Sequence, residues 1–469
     1  MNATVNLRTL AGQGPVHFMG VGGAGMYPLA ELVIRSGGTV SGCDVKESGP
    51  LRDLGSMGAD VSVGHEASHV VGAQALVITA AVPRDHPEIV AARAAGIPVL
   101  KRAEALGAWV ADGTVVAIAG THGKTTTTAM ATEILVAAGR EPTGLVGGRV
   151  TTWGGNLRFG SGNLFIVEAD EYDRSFLTLS PDVAVVTNLE ADHLDIYGDF
   201  DGVRRGFLDF LAGVRGGGRV VVCADDQGAS SLLPTIGPSG YTYGTSAGSM
   251  LRATRVEVFT GGTRCLLFEE GVRIDELFLR MGGRHNLLNA MAAAAAARAL
   301  DVDWTDILSA LADFGGVGRR FERVGDAAGV TVVDDYAHHP TELAAALRAA
   351  RSMFHDRRIV AVFQPHLFTR TRDFAREFGE ALAIADALWV TDVFPAREAP
   401  IPGVTGRTIV DAALAAGARD VEYESDVARL PAVLAASVRY GDVVLTLGAG
   451  SIESVGPDLV EALQEPIHA

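Results

Sequence analysis

The sequence predicts an α/β protein of three domains, and three observations carry that expectation. The chain has 469 residues, 48% of them hydrophobic and 20% charged, which is core enough for about three globular domains. Short apolar runs alternate with stretches of helical spacing, the pattern of strands joined by crossover helices. Several of those runs end in glycine or polar residues, where an open parallel sheet places its ligand crevice. The pattern of runs and motifs divides the chain into residues 1–113, 114–322 and 323–469.

In residues 1–113, Val16 to Met19 and Ala75 to Thr79 are strand-like, and Leu29, Leu32 and Val33 share a helix face. This is a Rossmann-like pattern. The first strand runs into Gly20-Val21-Gly22-Gly23-Ala24-Gly25, which fits G-x-G-x-x-G, and Asp44 follows about 20 residues later, as in a dinucleotide fingerprint. The physics behind the pattern is a tight turn, close backbone approach to a diphosphate and a helix N-terminus. Any nucleotide diphosphate satisfies it, NAD included, and a glycine-rich turn without ligand is the simpler alternative.

The second segment opens with Val115 to Ala119 entering Gly120-Thr121-His122-Gly123-Lys124-Thr125-Thr126. The chain has only three lysines, Lys46, Lys101 and Lys124, against dozens of arginines. A compact ammonium between phosphate oxygens is what a planar guanidinium cannot replace. We read the segment as a phosphate loop, with backbone N–H groups around the anion, a helix N-terminus behind it and the Thr125 hydroxyl toward Mg²⁺. Ile118 stands where the strict eight-residue pattern has glycine, so the loop is a shorter variant. The expected fold here is a P-loop ATPase-like parallel-sheet domain.

Two more apolar runs of this segment end in polar residues: Leu164 to Val167 into Glu168, and Val183 to Val186 into Thr187-Asn188. Their ends should meet the loop, which makes Thr125 and Glu168 candidate Mg²⁺ ligands and His193 a candidate for a second ion. His285-Asn286-Leu287-Leu288-Asn289 opens an alanine-dense helix. Asn286 and Asn289 share a face and can read a purine edge, although spacing alone favours a helix cap.

The third segment follows Gly315-Gly316-Val317-Gly318-Arg319-Arg320, a glycine hinge with paired cations that either meet a γ-phosphate or stay hydrated at the surface. Val330 to Val333 leads to Asp334-Asp335-Tyr336-Ala337-His338-His339-Pro340 and a helix from Thr341. Arg358 to Phe363 leads to Gln364-Pro365-His366, and Asp442 to Leu447 to Gly448. This is again a Rossmann-like alternation.

A formal charge of -17 and a pI near 5.1 argue against nucleic acid or an anionic membrane as partner. Cys43, Cys223 and Cys265 form no C-x-x-C pair, so neither a disulfide framework nor a zinc knuckle is expected. Met1 to Leu10 lacks a signal-peptide core and no run approaches the ~20 apolar residues of a membrane span. A cytoplasmic protein is the expectation.

Taken together, the motifs resemble the Mur ligase family, ATP-dependent enzymes that extend the peptidoglycan precursor. The resemblance covers essentially the whole chain and rests on Gly20 to Met26, Gly120 to Thr126, Glu168 to Phe176, Thr187 to His193, His285 to Asn289, Gly318 to Phe321, Asp334 to Leu343 and Gln364 to Arg372. It is closest to the members that join L-alanine to UDP-N-acetylmuramate through an acyl phosphate. The resemblance implies that the first domain holds the UDP part of the substrate, through Gly22, Gly23, Ala24, Gly25, Asp44, His65 and Thr79. ATP would lie on Gly120 to Thr126, His285, Asn286, Asn289 and Arg319, with Asn289 at adenine and Arg319 at the γ-phosphate. Thr125, Glu168 and His193 would hold two Mg²⁺ ions. Arg320, His338, His366 and Arg370 would contact substrate, and His339 is the candidate general base, with His338 beside it an open alternative. Lys124, Glu168, His193, Arg319 and His339 form the implied catalytic set.

Two departures from the family pattern matter. Sister ligases bridge metals with a carbamylated lysine, yet no lysine follows Thr125 in this chain. Alanine-adding relatives often carry a basic residue after the histidine of Gln364-Pro365-His366, whereas this chain has Leu367 and would depend on Arg370 or Arg372. The nearest rival reading is a ligase that joins a recycled tripeptide to the same UDP-sugar. Monomer and homodimer are both open.

Overall fold

The computed structural model describes residues 6–79, 82–237, 240–396 and 398–464. It contains three sheets distributed over two compact units. Unit 1 comprises residues 1–253, 267–275 and 288–311; unit 2 comprises 254–266, 276–287 and 312–469.

The first sheet of unit 1 has strands β1 (Val16–Met19), β2 (Val40–Asp44), β3 (Asp60–Val63), β4 (Ala75–Ile78) and β5 (Val99–Lys101). They are all parallel in the order β3-β2-β1-β4-β5, the doubly wound arrangement expected from the alternation. Central β1 is buried throughout, while edge strand β3 is half exposed, as a strand covered on both faces at the middle and open at the rim should be.

The second sheet follows with β6 (Thr114–Ala119), β7 (Pro142–Val150), β8 (Gly155–Arg158), β9 (Leu164–Glu168), β10 (Val183–Val186), β11 (Arg219–Cys223) and β12 (Gly240–Gly244). Within unit 1 the order is β12-β11-β10-β6-β9-β7-β8, parallel except for β8. The expected runs lie inside these strands, and β10 matches its run residue for residue. Val115–Ala119 and Val183–Val186 are buried, each valine or isoleucine among them contributing about 1.5–3 kcal/mol. Register places Ala119 beside Val186 and Ile118 beside Glu168. The three strand ends that carry polar residues are therefore neighbours. The chain then runs through β13 (Leu251–Phe259), β14 (Gly262–Glu269) and β15 (Val272–Leu279).

Unit 2 is organised on β16 (Glu322–Ala327), β17 (Val330–Asp335), β18 (Ile359–Phe363), β19 (Ala387–Val390), β20 (Val421–Tyr423) and β21 (Val443–Leu447), in the order β16-β17-β21-β18-β19-β20. Only β16 is antiparallel. Alternate residues face opposite sides of a strand. Thus Val333, Ala361, Phe363 and Leu445 pack into one core, and Val332, Val360, Val362 and Val444 into the other. The helices Pro340–Met353 and Ala375–Leu382 cover the first face; Leu430–Ser437 and Val455–Gln464 cover the second.

The alanine-dense helix runs from Arg284 to Arg298 and buries every residue from Ala290 to Ala297. It begins one residue before His285, so Asn286 and Asn289 stand inside it and are not caps; Asn286 donates from Nδ2 to Gly282 O at 3.0 Å. Among the described residues, no helix is long and apolar enough to cross a membrane.

Candidate active site

The phosphate loop in unit 1 is shaped by the segment after β10. Thr187 Oγ1 donates to His122 O at 2.7 Å, Asn188 Oδ1 accepts from His122 N at 2.7 Å, and Asn188 Nδ2 donates to His122 O at 3.0 Å. Thr121 Oγ1 accepts from Glu190 N at 3.0 Å. Thr187 and Asn188, expected only to lie nearby, brace the loop directly. Two glycines are required here. Gly120 (φ 140°) and Gly123 (φ 81°) occupy the left-handed half of backbone space, and a Cβ would strike Thr187 Oγ1 at the first and Asn289 Oδ1 at the second. Asn289 therefore abuts the loop, at the turn into the helix Lys124–Ala137.

Lys124 leads that helix, and Thr125 and Thr126 follow it, nearly buried. The Lys124 ammonium donates to Gly120 O at 2.6 Å, to Thr121 O at 3.3 Å, and to Glu171 Oε2 and Oε1 at 2.7 and 3.0 Å. Its side chain is 16% exposed and that of Glu171 4%. Burial alone would lower the lysine's pKa, but Glu171, Asp170 and Glu168 more than offset it, so the ammonium titrates above its ordinary range. Burial raises the Glu171 carboxyl in turn, against the pull of Lys124.

Glu171 is the hub of the site. Its Oε1 lies 3.9 Å from His193 Nε2, and its carbonyl accepts from Tyr197 OH at 2.6 Å. His193 has φ 53°, rests its ring edge-on against Tyr172 at 5.2 Å and lies 3.8 Å from Asp192 Oδ2. Glu168 ends β9 with its carboxylate toward Gly147. Lys124 and His193 thus flank one carboxylate, that of Glu171, which sequence reasoning quoted within Glu168 to Phe176 but gave no role, while Glu168 adds its charge to the field on Lys124.

The glycine loop of the first sheet is bonded to Asp44. Its Oδ2 accepts from Gly22 N at 2.9 Å, and its Oδ1 from Val45 N at 2.8 Å. A pocket of about 320 Å³ runs from Ala24 and Gly25 past Arg102 to Gly147, Glu168 and Asp170. Its lining joins the glycine loop to the carboxylates beside the phosphate loop. Arg102 packs against Gly25 and lies 4.0 Å from Asp170, while Lys101 pairs with Asp173 at 2.5 Å. Arg102 had no sequence signal beyond its charge. Thr79 approaches Gly20. His65 lies elsewhere, with Nδ1 3.1 Å from Cys43 Sγ.

Unit 2 collects the other expected residues. Arg319 (φ 58°) donates to Asp334 Oδ2 at 2.7 Å, Glu453 Oε2 at 2.9 Å and Gly448 O at 2.7 Å. It is not a hydrated surface group. Arg319 and Arg320 both lie over the Tyr336 ring, at 5.2 and 5.1 Å, and Arg320 is 3.9 Å from Glu342 Oε1. Glu342 also accepts from the backbone N–H of His338 and His339, at 3.0 and 3.3 Å.

His338 donates from Nδ1 to Tyr336 O at 3.0 Å, which leaves Nε2 as the lone-pair nitrogen of the neutral ring, and its ring meets His366 edge-on at 5.6 Å. Burial pulls the pKa of His338 down to about 4, with Glu342 opposing and Arg370 assisting. His285 is likewise lowered to about 4, by burial and then Arg320. His339 caps the helix Pro340–Met353, is 5% exposed and packs edge-on against Phe374 at 5.1 Å. His366 stacks on Phe394 at 5.8 Å. Leu367 follows with φ 69° and starts the helix Phe368–Asp373, which carries Arg370 and Arg372.

A phosphate loop with a buried lysine, carboxylates at adjoining strand ends and doubly wound sheets define the class: a nucleotide-dependent α/β enzyme. Three family profiles match in order: "Mur ligase family, catalytic domain" over residues 15–114, "Mur ligase middle domain" over 118–297 and "Mur ligase, glutamate ligase domain" over 319–450. The UDP-N-acetylmuramate--L-alanine ligase of Renibacterium salmoninarum is 46% identical over 459 residues, 97% of each chain. That of an Anaeromyxobacter species is 46% identical over 451 residues, 96% of this chain and 98% of the relative. The crystal structure of UDP-N-acetylmuramate-alanine ligase MurC from Thermotoga maritima superposes with TM-score 0.80 at 30% identity, over 95% of this chain and 98% of that one. The chain belongs to the Mur ligase family.

Proposed function

We propose that this protein joins L-alanine to UDP-N-acetylmuramate at the expense of ATP, giving UDP-N-acetylmuramoyl-L-alanine for peptidoglycan synthesis. The observation that carries the reading is the Lys124 ammonium, fixed at the head of a glycine loop and kept charged by Glu171, Asp170 and Glu168. The similarity to alanine ligases over nearly the full chain supplies the substrates. In the domains we propose, residues 1–113 hold the UDP-sugar, 114–322 the nucleotide and 323–469 the amino acid.

A carboxylate and an amine form a salt at neutral pH, so the acid must be activated. In the reaction we propose, a lactyl carboxylate oxygen attacks the γ-phosphorus of ATP and ADP departs. The alanine nitrogen then attacks the acyl carbon, phosphate leaves and the ammonium proton passes to a base. Lys124 neutralises the transferring phosphoryl group, the largest electrostatic contribution we assign. Arg319 is proposed to add positive charge there, and Asn289, beside the loop at Gly123, to contact the adenine with His285 and Asn286.

The hydroxyl of Thr125 and the carboxylate of Glu168 are hard oxygen donors that suit Mg²⁺, and His193 would complete a second site. Bound Mg²⁺ would supply charge neutralisation between the two anions. For the proton we propose His339, with His338 next to it as the alternative; the Nε2 of His338 is an acceptor, but a pKa near 4 makes it a weak base. Arg320, His366 and Arg370 are proposed to orient substrate, with Arg370 or Arg372 on the alanine carboxylate.

Phosphate release with alanine, glycine, serine or the tripeptide, each with and without UDP-N-acetylmuramate, tests this directly. Release should require the UDP-sugar and be fastest with alanine; a methyl group gives about 1–3 kcal/mol of discrimination, so glycine should be used more slowly. Release that prefers the tripeptide, or ignores the sugar, overturns the proposal.

A further inference from the structure

Beneath the glycine loop lies a cluster outside the catalytic set. Cys43 on β2, His17 on β1, His69 in the turn after β3 and Glu88 on the helix Pro87–Ala94 converge, with their donor atoms all within 4.8 Å of one another. Cys43 Sγ is 3.4 Å from His17 Nε2 and 3.4 Å from Glu88 Oε1. Glu88 Oε2 is 3.8 Å from His17 Nε2, and its Oε1 is 3.2 Å from His69 Nδ1. We propose that Cys43, His17, His69 and Glu88 form a zinc site that holds the glycine loop in shape.

Zn²⁺ bonds of about 2.0–2.3 Å to nitrogen, oxygen and sulfur give a tetrahedron with edges of about 3.3 Å between nitrogen and oxygen and about 3.5 Å to the single sulfur. Three of the separations, 3.4, 3.4 and 3.2 Å, lie within about 0.2 Å of those edges, and the fourth, 3.8 Å between His17 Nε2 and Glu88 Oε2, would close by about 0.5 Å as the carboxylate turns onto the ion. The donor set is one soft sulfur, two imidazoles and one carboxylate, which selects zinc over Mg²⁺ or Ca²⁺. It also balances charge. Glu88 is fully buried and its ion-pair partners are all imidazoles, namely His17, His65 and His69. One thiolate and one carboxylate cancel the charge of a divalent ion, and a buried site then carries no net charge.

An outer contact fits as well. Ser41 Oγ lies 2.9 Å from His17 Nδ1 and can accept its N–H, leaving Nε2 for the metal. Entry is open from one side, since His65 and His69 are 21% and 18% exposed. His65, 3.1 Å from Cys43 Sγ, borders the site at that mouth.

The ion would act on the loop through the backbone of its own ligand. Cys43 O accepts from Gly20 N at 2.7 Å and Val21 N at 3.1 Å, and the next residue, Asp44, accepts from Gly22 N. Fixing Cys43 therefore fixes three consecutive N–H groups of the turn.

The test is Co²⁺ substitution in the full-length protein after chelator treatment. One equivalent of Co²⁺ should give tetrahedral visible bands and a near-ultraviolet thiolate charge-transfer band, both bleached by Zn²⁺. Cys43→Ser should abolish the charge-transfer band, while Cys223→Ser retains it. Ser41→Ala, which removes no ligand, should weaken Zn²⁺ binding about 10- to 100-fold. Absence of a thiolate band in the wild-type protein, its persistence in Cys43→Ser, or unchanged affinity in Ser41→Ala would each overturn the assignment.

Discussion

The Lys124–Glu171 pair makes a sharp prediction about stability as well as catalysis. Replacing Lys124 by methionine keeps the length of the side chain and removes the charge. The ammonium contributes both hydrogen bonds to the Glu171 carboxylate, whose side chain is 4% exposed, and two more to Gly120 O and Thr121 O. The variant strands a carboxylate in a buried position, a change that costs about 3–5 kcal/mol. Adding Glu171→Gln removes the stranded charge. The double variant should recover about 1–3 kcal/mol of that loss, the coupling range for residues in direct contact. Urea unfolding of the wild-type protein, both single variants and the double variant closes the cycle. The reasoning fails if Lys124→Met costs under about 1 kcal/mol or if the two losses simply add. Ligation is a separate readout: both proteins carrying Lys124→Met should lack it, whatever their stability.

Other outcomes follow from the same geometry. Gly123→Ala forces a side chain onto a φ of 81° against Asn289 Oδ1, so affinity for an ATP analogue should fall at least about tenfold, equivalent to about 1.4 kcal/mol; calorimetric titration showing unchanged affinity would contradict the loop packing. Because burial lowers His338 from 6.5 to about 4, its neutral form favours folding above pH 6.5, and that stability drains away as pH falls toward 4. Between pH 7.5 and 4.5 it should amount to about 2–3 kcal/mol, so the wild-type protein should lose that much more than His338→Gln in urea unfolding. Arg102→Ala removes the cation beside Gly25 and Asp170; KM for UDP-N-acetylmuramate should rise by about five- to thirty-fold, a loss of about 1–2 kcal/mol, while KM for ATP holds, and a change confined to ATP would misplace the residue.

Much of this was legible because it is local. The loop Gly120 to Thr126 and the strand-end residues Glu168 and Thr187 sit where apolar runs stop, and parallel register brings those stops together. Glu171 lay within a recognised motif, but only three-dimensional convergence shows that it holds Lys124 instead of merely adding charge. Arg102 follows a short edge strand and has no periodic signature. The Cys43 cluster was invisible for a stronger reason: its members come from separate elements spread over residues 17–88. A search for C-x-x-C spacing sees neighbours along the chain and is blind to neighbours across a sheet. Spacing alone favours caps for the asparagines of the alanine-dense helix, and they stand inside it because the helix starts earlier than its apolar pattern.

Leu367 shows how one stretch of chain can aim another that is remote in sequence. Its backbone is twisted into a region unfavourable for leucine, and Phe394 clamps it there: Leu367 N donates to Phe394 O at 3.0 Å and Phe394 N to Pro365 O at 2.8 Å. His366 lies between those two rungs, so its orientation is inherited from a segment 28 positions downstream, from 366 to 394. A change in how the chain around Phe394 is held would therefore turn the His366 ring with no substitution at position 366 itself.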